Sequence, residues 1–405
     1  MLKRLLTKLL RFVFKLLLLL VALGLLGWGA AELYYHIAWQ GPVPTEEEIP
    51  AGEAAMTQKI IADAITIVET HKDNTRIMRD AHAKAHGCVR ADVSVREDLP
   101  ENLQHGVFAK PGQQYPAWVR FSNGNAYPQF DSMRDARGMA IKLMNVEGKK
   151  LLPSEADAQT QDLVMFNQPL FFVSDVAEYQ SNFAAQAEGK KVQAFFPSWD
   201  PRTWQFRHLL IGLQTLAPPP ESPFSAQYFS IAPFKYGPHN SKYRTVPAPE
   251  QCPDYAQPTL NQNLPNFLRT AMYQQLSVDR VPACFAIQVQ LQDAEKYMPL
   301  EDTSIEWREE DSPFVTVAHL KIEPQDFDTP EQNLFCDNLS FTPWHSIEEH
   351  RPLGGINRLR RAVYEAVSVY RHERNGAPRQ EPSADTQPLT GDLRPQQADS
   401  SEQGE

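Results

Sequence analysis

Cys284-Phe285-Ala286-Ile287-Gln288-Val289-Gln290-Leu291 alternates residue by residue. Cys284, Ala286, Gln288 and Gln290 fall on one side of an extended chain, and Phe285, Ile287, Val289 and Leu291 on the other. That period of two predicts a strand. Residues 314–322 read the same way, and Ala117-Trp118-Val119-Arg120-Phe121 and Met139-Ala140-Ile141-Lys142-Leu143-Met144 supply two more strands. Long mixed connections separate them, which predicts an α+β fold built on an antiparallel barrel with helical additions. Residues 54–69 carry Ile60, Ile61, Ala64, Ile65 and Val68 near helical spacing and read as a helix. Residues 192–282 are rich in proline and aromatics. Apart from a helix over 204–216, they read as extended segments covering the barrel.

The two ends of the chain differ from its body. Residues 16–31 are uncharged and almost wholly apolar, with Lys3, Arg4, Lys8, Arg11 and Lys15 before them. Sixteen helical residues reach about 24 Å, a little short of a hydrocarbon core. Leu33 and Ile37 extend the run, and Tyr34, Tyr35 and Trp39 suit an interfacial belt. Basic residues before the span and Glu46, Glu47 and Glu48 after it predict a single-pass helix in the cytoplasmic membrane, with the body outside the cytoplasm. The competing reading is a signal peptide cleaved after Gly29-Ala30-Ala31, followed by export. The chain therefore divides into a basic N-terminus and transmembrane anchor (1–39), a linker (40–53), a folded body (54–376) and a disordered tail (377–405) without aromatic residues.

The formal charge is −11. Setting aside the five basic residues at the start leaves about −16 on the rest, which repels phosphates and argues against nucleic acid as a partner. Cys88, Cys252, Cys284 and Cys336 are widely spaced with no C-x-x-C pair, which argues against zinc. An even count permits disulfides, and the default is four ordinary buried thiols.

Arg360, Tyr364 and Arg371 return to nearly one face of a helix. Cations flanking a phenol favour phenolate, a hard ligand suited to ferric iron, and tyrosinate ligation of haem points to catalase chemistry. Taken alone, the triplet reads better as a surface helix with its aromatic packed on the core. Four more segments change that balance. Arg79-Asp80-Ala81-His82-Ala83-Lys84 resembles the distal-histidine motif of haem catalases. Val119-Arg120-Phe121-Ser122 resembles the next motif, and Arg134-Asp135-Ala136-Arg137-Gly138 the third. Asp162-Leu163-Val164 with Pro169-Leu170-Phe171-Phe172 resembles the fourth, and Arg360-Arg361-Ala362-Val363-Tyr364 the last. All five stand in the family order over roughly residues 70–375.

The resemblance implies a catalase-like antiparallel β-barrel with surrounding helices that binds haem (ferric iron protoporphyrin). It makes Tyr364 the axial iron ligand and Arg360 its phenolate partner. His82 stands on the distal face with Ser122 as its neighbour, and Arg79, Arg120 and Arg371 hold the propionates. Phe171 lines the distal pocket, and Tyr179 takes a position usually given to phenylalanine. Arg134 and Arg137 read at least as well as structural ion-pair residues, and His86 as an ordinary histidine. Relatives are usually homo-oligomers, an arrangement that an anchor and an acidic tail would limit.

One position departs from the family. Phe166 occupies the place of the distal asparagine, and a phenyl ring cannot donate the hydrogen bond an amide can. The expected activity is that of a haem oxidoreductase, a peroxidase or weak catalase that decomposes hydrogen peroxide or reduces organic hydroperoxides. The alternatives are a lipid-hydroperoxide isomerase or lyase of the allene oxide synthase type, and a non-catalytic haem-binding protein.

Overall fold

The computed structural model describes residues 2–33, 44–72, 76–190, 193–200 and 203–386. Helix α1 (Leu2–Leu33) contains Leu6–Ala30, a stretch long and apolar enough to cross a membrane. It is longer than the span expected from composition. The aromatic belt at Tyr34, Tyr35 and Trp39 lies outside the described residues.

Helix α2 (Glu53–Thr70) precedes four strands that pair in chain order: β1 (Ala85–Val95), β2 (Gln114–Asn123), β3 (Arg137–Met144) and β4 (Thr160–Phe166). After α3 (Val176–Ala187) and α4 (Phe206–Thr215) come β5 (Tyr228–Phe229), β6 (Phe234–Tyr236) and β7 (His239–Pro247). Helix α5 (Phe267–Tyr273), β8 (Ala283–Leu291), β9 (Val315–Ile322), α6 (Pro330–Asn338) and α7 (Gly355–Asn375) complete the order. All strand pairs are antiparallel. β9 returns to β1, and β5 bonds both β4 (Phe166 opposite Phe229) and β7 (Tyr228 opposite Thr245), closing an eight-stranded barrel with β6 as a flap on β7.

The four strands expected from alternation are β2, β3, β8 and β9. Residues 192–282 need correction: besides the helix α4, they contribute barrel strands rather than only a covering. In β7, Asn240-Ser241-Lys242-Tyr243-Arg244 is polar and lacks the apolar alternation of a half-buried strand.

Val89, Val93, Val119, Phe121, Ile141, Leu143, Phe285, Ile287 and Leu320 fill the barrel. Each such side chain contributes about 1.5–3 kcal/mol by leaving water. On its outside, Leu359, Val363 and Val367, spaced four apart on α7, pack against Ile60, Ala64, Ile67 and Val68 of α2. The cysteines also need correction. Cys252 and Cys284 form a disulfide tying β8 to the preceding connection, and only Cys88 and Cys336 remain thiols.

The flanking segments are docked. Arg358 binds Glu47, Glu53 and Glu301, which holds the end of the expected linker on the body. The tail expected to be disordered is, over residues 377–386, held against the barrel, and residues 387–405 lie outside the described ones. Glu381 accepts from Lys142 Nζ (2.6 Å) and Thr160 Oγ1 (2.6 Å), and Arg379 pairs with Glu155 (2.8 Å). Lys142 also pairs with Asp162 (2.8 Å), and His345 sits between Asp162 and Glu155. Burial and Lys142 both disfavour imidazolium at His345, but the Asp162 and Glu381 carboxylates outweigh them and push its pKa up to about 9.

A folded pKa above the unfolded value contributes stability that is complete below about pH 6.5 and lost as pH rises through about 9. The contribution is at most on the order of 3 kcal/mol. Unfolding midpoints in denaturant should therefore fall between pH 6.5 and 9.5 in the wild type and fall less in His345→Gln. Equal slopes would remove the charged imidazole from the network.

Candidate active site

The site lies on the barrel's outer wall, and strand alternation puts it there. Val119 and Phe121 point into the barrel, so Arg120 and Ser122 point out. By the same rule Ile141 and Leu143 point in while Gly138 and Ala140 point out, and Leu163 points in while Val164 and Phe166 point out. Helix α7 closes over this wall. Its face of Tyr364, Val367, Ser368 and Arg371 lines a cavity of about 710 Å³, counting its open mouth, with Arg79, His82, Arg120 and Ser122 opposite. A contiguous chamber of about 1860 Å³, counting its open mouth, shares His82, Val164 and Tyr364 and extends past Arg360 into an apolar region.

Tyr364 Oη accepts a hydrogen bond from Arg360 Nε (3.2 Å), one helical turn away. Asn357 Oδ1 accepts from Arg360 Nη1 (3.2 Å), which orients the guanidinium. His82 is held from several directions. Its backbone is left-handed (φ 57°), a conformation that costs about 1–3 kcal/mol in a non-glycine residue. His82 N–H donates to Gly124 O (2.9 Å), and Arg120 Nη2 donates to His82 O (2.7 Å). Nδ1 lies 3.0 Å from Asn123 O and 3.1 Å from Ser122 Oγ. A carbonyl only accepts, so Nδ1 carries the proton and Nε2 keeps its lone pair. Burial, and then the charge of Arg120, push the His82 pKa down to about 4, so the imidazole is neutral at pH 7.

Arg79, Arg120 and Arg371 converge at one end. Arg79 Nη2 donates to Leu339 O (2.8 Å), and Arg371 Nη1 to Asp337 O. Burial, then repulsion from Arg79, lowers Arg120 to about 10 and Arg371 to about 9. Arg120 Nε is buried with no partner among the described residues. Enclosed, mutually repelling guanidiniums with a spare donor suit a dianion, and planar forks suit carboxylates. At the other end Phe166, Phe171, Phe172, Tyr179, Phe183 and Phe195 line the large chamber. Tyr179 stacks on Phe171 (centroids 6.0 Å) and on Phe183 (4.4 Å), and burial pushes its phenol well above the ordinary value. A slot lined by a phenol oxygen and an imidazole, with a cationic end and an aromatic surround, fits a flat apolar macrocycle bearing two carboxylates.

Every residue singled out from the sequence lines one or both cavities: Arg79, His82, Arg120, Ser122, Phe166, Phe171, Tyr179, Arg360, Tyr364 and Arg371. Arg134, Arg137 and His86 line neither. Asn167, next to Phe166, lines neither cavity, and its Oδ1 accepts from the Arg137 N–H (2.6 Å). Sequence reading gave no role to Asp80, which lines both cavities and whose pKa burial raises to about 6. It also missed Leu209 and Leu213, whose helical spacing on α4 was the available signal, and Leu216 just past its end.

Gly138 is required by close approach. A Cβ there would meet His82 Nδ1 at 2.5 Å and Ser122 Oγ at 2.8 Å. Gly138→Ala should displace the imidazole and destabilise the protein by about 1–3 kcal/mol, read as a lower denaturation midpoint. An unchanged midpoint together with an unmoved His82 ring would contradict this geometry.

Comparison with known proteins agrees with the geometry. Residues 43–210 match the catalase family model. Catalase C of Rhizobium meliloti is 34% identical over 111 residues, 27% of this chain and 14% of that protein. A catalase of Ascaris suum is 33% identical over 119 residues, 29% of this chain and 20% of that one. The matched stretches thus span a fifth or less of these relatives. The structure of catalase A from Saccharomyces cerevisiae superposes with a TM-score of 0.56 at 14% identity, covering 83% of this chain and 67% of that one. Residues 43–210 are thus similar to the catalase family, and the chain shares the catalase fold.

Proposed function

We propose that the chain binds haem between His82 and Tyr364 and processes peroxides on the His82 side. The observation that carries this reading is the pair Arg360–Tyr364 facing a neutral His82 across a cavity whose far end holds three arginines. Tyr364 would be the iron ligand, Arg360 would stabilise its phenolate, and Arg79, Arg120 and Arg371 would bind the propionates. When bound, haem supplies a redox-active iron able to accept a peroxide oxygen.

The residues then divide the proton work. Nε2 of neutral His82 takes the proton from the near peroxide oxygen and returns it to the departing one. Ser122 and the Asn123 carbonyl keep the tautomer fixed throughout. Phe166 and Phe171 exclude water but offer no hydrogen bond to orient a small peroxide. Losing one such donor can cost about 10²–10³ in rate. Disproportionation of hydrogen peroxide is therefore slow, and a peroxide positioned by an organic tail gains relative to it.

A second reading, isomerisation or cleavage of a lipid hydroperoxide, is favoured by the size and lining of the larger chamber. Phe172, Phe195, Leu209 and Leu213 extend it well beyond what hydrogen peroxide requires. In either reading α1 anchors the protein in a membrane with the body outside the cytoplasm, where Leu6–Ala30 has the needed length.

Rapid mixing of haem-loaded protein with hydrogen peroxide and with a fatty-acid hydroperoxide tests the function. Reaction with the organic substrate should exceed that with hydrogen peroxide, and Phe166→Asn should raise hydrogen peroxide turnover about tenfold or more. Turnover should be flat near neutrality with an acid limb near pH 4, absent in His82→Ala, because protonation removes the base. Rapid oxygen evolution by the wild type, indifferent to Phe166→Asn, would overturn the assignment of Phe166. No reaction with either peroxide would leave a haem-binding protein without catalysis.

A further inference from the structure

The two remaining thiols are far apart in sequence but share one small cluster. Cys88 projects from the outer face of β1 beneath α6, where it packs with Trp118, Met144, Cys336 and Leu339. Gln332 of α6 donates to Cys88 O (2.7 Å), which fixes the helix over the strand. Cys88 and Cys336 are both 2% exposed, yet Cys336 forms part of the floor of a surface cleft of about 1150 Å³, counting its open mouth. Arg76, Lys84 and Arg269 rim that cleft.

The end of α6 also seats two of the site's arginines. Arg79 Nη2 donates to the carbonyls of Cys336 (3.3 Å), Asp337 (3.3 Å) and Leu339 (2.8 Å). The Asp337 carbonyl also accepts from Arg371 Nη1. A movement of Cys336 toward β1 would therefore be felt by the guanidiniums at the cationic end of the cavity.

We propose that Cys88 and Cys336 are a peroxide-sensitive dithiol whose oxidation to a disulfide shifts the carbonyls that seat Arg79 and Arg371. The step balances without haem. The Cys336 sulfur attacks one peroxide oxygen, the O–O bond breaks, and the other oxygen leaves as water, or as an alcohol from an organic hydroperoxide. Cys88 sulfur then attacks the sulfenic sulfur and displaces hydroxide, which takes the Cys88 proton and leaves as water. Two thiols and one hydrogen peroxide become one disulfide and two waters. Access sets this division of labour: Cys336 lines the cleft and Cys88 does not. Burial raises both thiols, and the charges of Arg120 and Arg79 oppose it at both. The chemistry is independent of the haem reading, and only its consequence for the arginines rests on it.

The test uses the full chain, with and without haem, exposed to hydrogen peroxide, then denatured, alkylated and analysed by intact mass and peptide mapping. Oxidation should remove two alkylatable thiols, lower the mass by about 2 Da, and yield a Cys88–Cys336 linked peptide in both preparations, reversibly with dithiothreitol. Cys88→Ser should trap Cys336 as a sulfenic acid captured by dimedone, and Cys336→Ser should leave Cys88 unreacted. In the haem-loaded protein, oxidation should shift the Soret band or speed haem loss severalfold, and the double variant Cys88→Ser/Cys336→Ser should not respond. Thiols that stay fully alkylatable, or no linked peptide in either preparation, would overturn the dithiol. A linked peptide with no change at the haem would overturn the coupling to Arg79 and Arg371.

Discussion

Three guanidinium groups brought together out of bulk water repel one another, and that repulsion is the constraint around which this cavity is organised. Arg79, Arg120 and Arg371 come from a loop, a barrel strand and a helix, so no local preference places them together. Backbone carbonyls hold them: those of residues 336, 337 and 339 for Arg79, that of His82 for Arg120, and that of Asp337 for Arg371. Carbonyls position these guanidiniums without neutralising them, and the carboxylate of Asp337 pairs with Arg79 at 3.5 Å. Burial first, and then repulsion from Arg79, lowers Arg120 and Arg371, and positive charge remains in excess at this end. Such an excess is sustained when an anionic partner completes it.

The opposite wall follows from the same scaffold. The barrel gives Arg120 and Ser122 a common direction because they are two apart on one strand. The helix gives Arg360, Tyr364 and Arg371 a common direction because their offsets complete whole turns. Packing of α7 on α2 through Leu359, Val363 and Val367 fixes the gap between the walls. His82 spends strain to face that gap, with a left-handed backbone that Gly124 and Arg120 hold in place. The proposed acid–base chemistry at one face and oxygen ligation at the other would therefore rest on elements held in place by packing.

Much of this was legible in the sequence, for a physical reason in each case. Strands β2, β3, β8 and β9 advertise themselves by alternation, and the α7 face by helical spacing. Strand β7 did not, because its polar run Asn240-Ser241-Lys242 is satisfied by neighbours far along the chain: Asn240 by Gln292, Lys242 by the Ile305 carbonyl. The Cys252–Cys284 disulfide was invisible because spacing alone does not bring two cysteines together. Residues 377–386 look disordered by composition, yet Glu381 finds a buried lysine, Lys142, that composition cannot locate. Asp80 was read only as part of a motif, since its enclosure depends on walls from distant segments.

The most direct test of the central claim is a haem titration of the full-length protein followed by absorption and magnetic resonance spectroscopy, alongside Tyr364→Phe. The wild type should take up haem stoichiometrically and show a high-spin ferric spectrum of tyrosinate ligation. The variant should bind weakly or show a grossly altered spectrum. Equal uptake with indistinguishable spectra would show that the oxygen of residue 364 does not hold the iron.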